Sequence, residues 1–63
     1  MSDLTTLFSR IIEALNDEGF SDSERKAVYE ALIPIFDEYE ASLKELTEEG
    51  DDAFNEEFEN YFG

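Results

Sequence analysis

The chain has 63 residues with 18 Asp and Glu against 4 Lys and Arg, giving a formal net charge of -14 and a pI near 4.1. Such a field repels DNA, RNA and anionic lipid, because affinity for them depends on cations that neutralise phosphates. The length accommodates a single domain, 1–63, with one small core, and the absence of Cys and His removes disulfides, thiolate ligands and the commonest general base.

Hydrophobic residues make up 41% of the chain and aromatics 14%, which separates it from disordered acidic tails. The first helix is predicted from Asp3 to Asn16, where Leu4, Leu7, Phe8, Ile11, Ile12 and Leu15 trace one face. Ser2 or Asp3 is the candidate cap, and Gly19 suits the left-handed residue that ends a helix. Ser21 and Glu24 have the spacing of a capping box and start the second helix. Its apolar face runs through Val28, Leu32, Ile35, Phe36, Tyr39, Leu43 and Leu46. Pro34 interrupts that face without shifting its phase, so the expectation is one helix from Asp22 to about Glu48, kinked at Pro34, with a break as the alternative. Gly50 marks a stop, and Asp51 or Asp52 caps a third helix with Phe54, Phe58, Tyr61 and Phe62 on one face. The fold class is therefore all-α, a small three-helix bundle made of a helical hairpin and a short C-terminal helix. Nothing in the sequence reaches the ~20 apolar residues of a membrane span.

The chemistry available is narrow. Ser2, Ser9, Ser21, Ser23 and Ser42 have no His to activate them, and the glycines stand singly at 19, 50 and 63, so neither a nucleophilic site nor a phosphate loop is present. The expectation is a non-enzyme with no cofactor. An EF-hand register beginning at Glu48 puts Ala53 where Gly belongs, and one beginning at Asp51 ends on Phe62, so no calcium loop is expected.

Charge is the remaining signal. Residues 1–36 carry a net of -4, whereas residues 37–63 carry eleven acids and one base, a net of -10. These acids are Asp37, Glu38, Glu40, Glu45, Glu48, Glu49, Asp51, Asp52, Glu56, Glu57 and Glu59, the candidate partner-binding carboxylates. On a continuous helix, Glu38, Glu45, Glu49 and Asp52 fall near one line, with i, i+4 neighbours about 5–6 Å apart at Cβ. A helix of ~25 residues is ~38 Å long, close to one duplex turn. An acidic run is ordinarily a solvated face that keeps a protein soluble, and halophilic adaptation produces the same excess. Yet like charges at i, i+4 destabilise a helix by ~0.2–0.5 kcal/mol per pair. A surface that opposes its own fold points to a cationic partner. Phe20, Tyr29 and Ile33 lie off the main stripes and are expected as exposed contact or dimerisation residues; Phe54, Phe58, Tyr61 and Phe62 either close the bundle or dock a partner.

In size, charge and helicity the chain resembles the small acidic DNA-mimic proteins that phages and mobile elements direct against restriction enzymes and CRISPR surveillance complexes. The resemblance rests on composition and the acidic row from Asp37 to Glu59, and transfers no individual residue role. It implies an anti-CRISPR or anti-restriction inhibitor that blocks the basic DNA- or RNA-binding channel of a host complex, in the host cytoplasm, without binding nucleic acid itself. More faintly, the architecture is similar to helical-hairpin plasmid regulators that form dimeric four-helix bundles. The alternative is a small acidic adaptor or structural protein, homodimeric, whose acidity serves solubility.

Overall fold

Helices α1 (Asp3–Asp17), α2 (Asp22–Glu38) and α3 (Asp52–Phe62) form where helical periodicity and caps coincide, and a 3-10 helix (Leu43–Glu49) joins the last two. The structure, a computed structural model, describes residues 3–63. Asp3 lies inside α1, and the alternative cap Ser2 lies outside the described residues. The protein is all-α, with no strand among the described residues.

Both turns out of α1 and α2 are built alike. After α1, Phe20 N–H donates to Leu15 C=O and Gly19 N–H to Asn16 C=O, with Gly19 at φ 81°. This paired 6→1 and 5→2 closure satisfies carbonyls that the helix end would otherwise leave free. Ser21 then starts α2 with the expected capping box: Glu24 N–H donates to Ser21 Oγ and Ser21 N–H to Glu24 Oε1.

The expected second helix to Glu48 is not formed. Helix α2 passes through Pro34 and ends at Glu38, four residues beyond the proline. Glu30 C=O loses its usual donor to Pro34, but Glu30 is on the exposed side, where water can replace the missing bond. The stop is the same closure as after α1, with Ala41 N–H on Phe36 C=O and Glu40 N–H on Asp37 C=O. Here Glu40, rather than glycine, takes the left-handed conformation at φ 61°. The tertiary gain explains it. The reversal lets Leu43 and Leu46 return to the core, and Thr5 Oγ1 exchanges hydrogen bonds with the Ser42 backbone, donating to its C=O and accepting from its N–H. A continuing helix would carry both leucines away from α1.

The core is aromatic. The Phe8 ring lies 4.7 Å from Phe36, 5.3 Å from Phe54 and 6.0 Å from Tyr29, and Tyr29 lies 5.6 Å from Phe54. Most of these contacts are edge-on, the arrangement favoured by ring quadrupoles. Ile12, Ile33, Leu43, Leu46 and Ala53 complete the buried set, with Leu4, Ile11, Leu15, Val28, Leu32, Ala41 and Phe58 packed around it. Phe54, Phe58 and Phe62 continue outward as a row of mutually tilted rings at 5.9 and 4.6 Å.

The inward face of α2 differs from the expected one. Tyr29, Ile33 and Phe36 point into the core, while Ile35 and Tyr39 are 52% and 67% exposed. Tyr29 and Ile33, expected as exposed contacts, are fully buried. The cause is a rotation of roughly one residue, about 100°, which brings the Tyr29 hydroxyl to a buried carboxylate. On α1, Leu7 of the expected core stripe is exposed.

Phe54→Ala is expected to cost about 3–5 kcal/mol, comparable to all the stability a core of this size provides, and to abolish cooperative thermal unfolding by circular dichroism. Glu40→Gly, by relieving the left-handed backbone, is expected to stabilise by about 1 kcal/mol, read as a raised midpoint in urea. An unchanged midpoint would remove the strain from that turn.

Candidate partner surface and the buried carboxylate beneath it

Asp51 is the acidic residue that the sequence places on the surface and the fold takes inside. It is 7% exposed and therefore unavailable as a phosphate mimic. Its Oδ1 caps α3, accepting from Ala53 N–H at 2.9 Å and Phe54 N–H at 3.4 Å. Its Oδ2 accepts from the Tyr29 hydroxyl at 2.7 Å, Asn16 Nδ2 at 3.0 Å and Arg25 Nε at 3.3 Å. One carboxylate thus joins α1, α2 and α3. Burial pushes the Asp51 carboxyl up, but the bonds from Tyr29, Asn16 and Arg25 and the Arg25 charge outweigh it and hold the group below its ordinary value. Burial, and then the bond to Asp51, push the Tyr29 hydroxyl up, so Tyr29 remains a neutral donor. Asn16 is anchored by a second bond, Nδ2 to Ile12 C=O at 2.8 Å. Arg25 also donates to Phe20 C=O at 2.7 Å and pairs with Asp22 at 3.2 Å. Periodicity and capping patterns give neither Arg25 nor Asn16 a role in the sequence. The available signal was an Arg one turn before a Tyr on a helix.

The other acids face water. Of the eighteen, fifteen are exposed, Asp37 and Glu57 are half-buried, and Asp51 is buried. Three expected partner-binding acids have internal bonds: Glu56 pairs with Lys26 Nζ at 2.8 Å, Asp37 accepts from the Tyr61 hydroxyl at 3.2 Å, and Glu49 accepts from Ser9 Oγ. Lys26 is raised chiefly by its bond to Glu56, partly opposed by desolvation and supported by the charges of Glu56 and Asp22. The single row through Glu38, Glu45, Glu49 and Asp52 does not exist, because those residues fall on α2, the 3-10 helix and α3. Instead there are shorter rows. With three residues per turn, Glu45 and Glu48 eclipse each other, and Glu49 falls on the inward row of Leu43 and Leu46. Asp52, Glu56 and Glu59 share the outward face of α3 at i, i+4, i+7. Glu38 and Glu40 lie exposed on either side of Tyr39, and Glu57 faces a notch with Glu30 and Tyr61.

Cations do little to interrupt this surface. Arg25 and Lys26 are half-buried and spend their charge on Asp22, Asp51 and Glu56. Arg10 and Lys44 are exposed, with no ion pair among the described residues. Phe20, Tyr61 and Phe62 are exposed as expected, whereas Phe58 is half-buried against the core. Among the described residues no cluster of carboxylates is arranged to hold a metal ion, and no helix is long and apolar enough to cross a membrane.

Comparisons with protein-family models, with curated proteins and with solved structures find no match to this chain.

Loss of the Tyr29 hydroxyl in Tyr29→Phe is expected to cost about 1.5–3 kcal/mol, since the bond is to a buried charge. The pH dependence follows from the depressed Asp51 carboxyl. The unfolded chain binds that proton first, so the Asp51 contribution is complete above the unfolded value of about 3.9 and is lost as pH falls through the lower folded value. The stability gap between the natural protein and Asp51→Asn should be constant at neutral pH and close below about pH 4, as read from urea midpoints. A gap that widens on acidification contradicts the assignment.

Proposed function

We propose that the protein is a polyanion mimic that occupies the basic nucleic-acid-binding channel of a partner, as an inhibitor of the anti-CRISPR or anti-restriction type. The observation that carries this reading is charge density. The backbone spans 28 Å along its longest axis and carries -14. B-DNA carries one charge per ~1.7 Å, or about 16 over the same length. The field thus approaches that of a duplex, produced by a folded body rather than the ~38 Å rod that a continuous second helix would have formed. Arg25 is drawn to the buried Asp51 and Lys26 is held at the surface by Asp22 and Glu56, so two exposed cations without an ion pair among the described residues, Arg10 and Lys44, face fifteen exposed acids. The exposed carboxylates take the place of phosphates, and long-range attraction speeds association.

A second reading, a small acidic adaptor or structural protein that forms homodimers, is favoured by the exposed apolar Leu7, Ile35 and Tyr39.

The two separate on charge reversal. Replacing Glu45, Glu48, Asp52 and Glu59 with Lys leaves the internal bonds of Asp51, Glu49 and Glu56 in place. Under the mimic reading, partners captured from host lysate at low salt are nucleic-acid-binding proteins, duplex DNA displaces them, and the fourfold variant captures none. The logarithm of the binding constant should fall linearly with the logarithm of salt concentration. A captured partner that still takes up DNA normally sinks the mimic reading, and a salt-insensitive homodimer supports the adaptor.

A further inference from the structure

At one end of the molecule, Leu4 of α1 and Ile35, Phe36 and Tyr39 of α2 line an open cleft of about 160 Å³. Nothing in the proposed electrostatic role uses it. The lining is apolar, and Ile35 and Tyr39 expose half or more of their surface at the end of a helix whose other face fills the core. The volume suits a single ring or branched aliphatic side chain, because an apolar cavity of about 150 Å³ accepts benzene.

Exposed acids adjoin the lining residues in the chain: Glu38 and Glu40 flank Tyr39 and Asp3 precedes Leu4, whereas Asp37 is turned to the Tyr61 hydroxyl. The cleft also lies at the negative end of the α2 dipole, and the last turn of α2 holds no basic residue to offset it. A second copy of the chain would bring another -14 to these acids, so charge complementarity selects a cationic occupant. We propose that this cleft is an anchor site for a basic amphipathic segment of the partner protein, one large apolar side chain seating between Ile35 and Tyr39 while Lys or Arg residues one turn away meet Glu38, Glu40 and Asp3. The inference rests on the polyanion reading and adds position to it. Carboxylates attract any cationic surface at a distance, whereas an apolar cleft fixes where the partner sits and selects among basic proteins.

The test uses the full chain and three synthetic peptides: a helix-forming Lys-rich peptide with one Phe flanked by lysines, the same peptide with Ala for Phe, and polylysine. The Phe peptide is expected to bind about tenfold more tightly than the Ala peptide, the worth of burying one large side chain. It should shift the amide resonances of Leu4, Ile35 and Tyr39. Ile35→Ser and Tyr39→Ser change exposed side chains and should erase that tenfold difference while leaving polylysine binding intact. Equal affinity for the Phe and Ala peptides, with binding still lost at high salt, overturns the anchor site and leaves the polyanion reading standing. Failure of polylysine and both peptides to bind at low salt overturns both. Self-association that protects Ile35 and Tyr39 shows a second copy as occupant. Nuclear Overhauser contacts from the Met1 methyl group to those residues in the free protein show the cleft filled from within. Either result overturns the proposal.

Discussion

Asp51 is the constraint on which the rest of the structure depends. A carboxylate taken out of water is stable only when its lone pairs are met, and here the donors come from every α-helix. Asn16 comes from the last turns of α1, Arg25 and Tyr29 from one face of α2, and the remaining donors are the free N–H groups that open α3. Meeting them together sets the rotation of α2, which buries Tyr29 and Ile33 and turns Ile35 and Tyr39 to solvent. It also fixes where α3 starts, and so places Phe54 against both Phe8 and Tyr29. The aromatic core supplies the apolar area; the buried carboxylate selects one arrangement of it.

That arrangement separates charge by role. A small domain with a large negative excess must restrict repulsion at its centre. It does so by drawing Arg25 inward to Asp51 and bracing Lys26 between Asp22 and Glu56. Arg10 and Lys44 stay exposed without an ion pair among the described residues, so the exterior is dominated by its fifteen exposed acids without being uniform in sign. The field of an exposed surface of this kind is screened beyond about 8 Å at physiological salt and by itself gives little discrimination among cationic bodies. Discrimination requires shape, and the apolar cleft at the end of α2 supplies a feature of that kind.

The chain-reversing turns differ in how far they were legible. Gly19 and Gly50 announce left-handed positions, and both adopt them. Ser21 and Glu24 announce a capping box that is present, and of the two candidate caps for α3, Asp51 and Asp52, Asp51 takes the position. Glu40 announces nothing, since the long Glu side chain lacks the local bonding that lets Asn and Asp favour positive φ. Its turn is imposed from outside, by the return of Leu43 and Leu46 to the core and by Thr5 holding the Ser42 backbone. Pro34 was the conspicuous breaker, yet the helix passes it; the loss of one hydrogen bond on the exposed side is small beside the packing of Ile33 and Phe36.

Local chemistry, written in residue order, determined the all-α class, the end of α1, both ends of the 19–21 turn, the start of α3 and the concentration of acid after Asp37. These follow from periodicity, capping and formal charge, which act within a turn or two of the chain. Only the tertiary structure decided which face of α2 turns inward, where α2 stops and which of the eleven late acids is internal. Those depend on partners 22 to 37 positions away in sequence, such as Asp51 with Tyr29 and Thr5 with Ser42. A carboxylate in a run of acids reads as surface charge until three helices bring donors to it. The net charge was legible from composition; the body that carries it over 28 Å was a matter of packing.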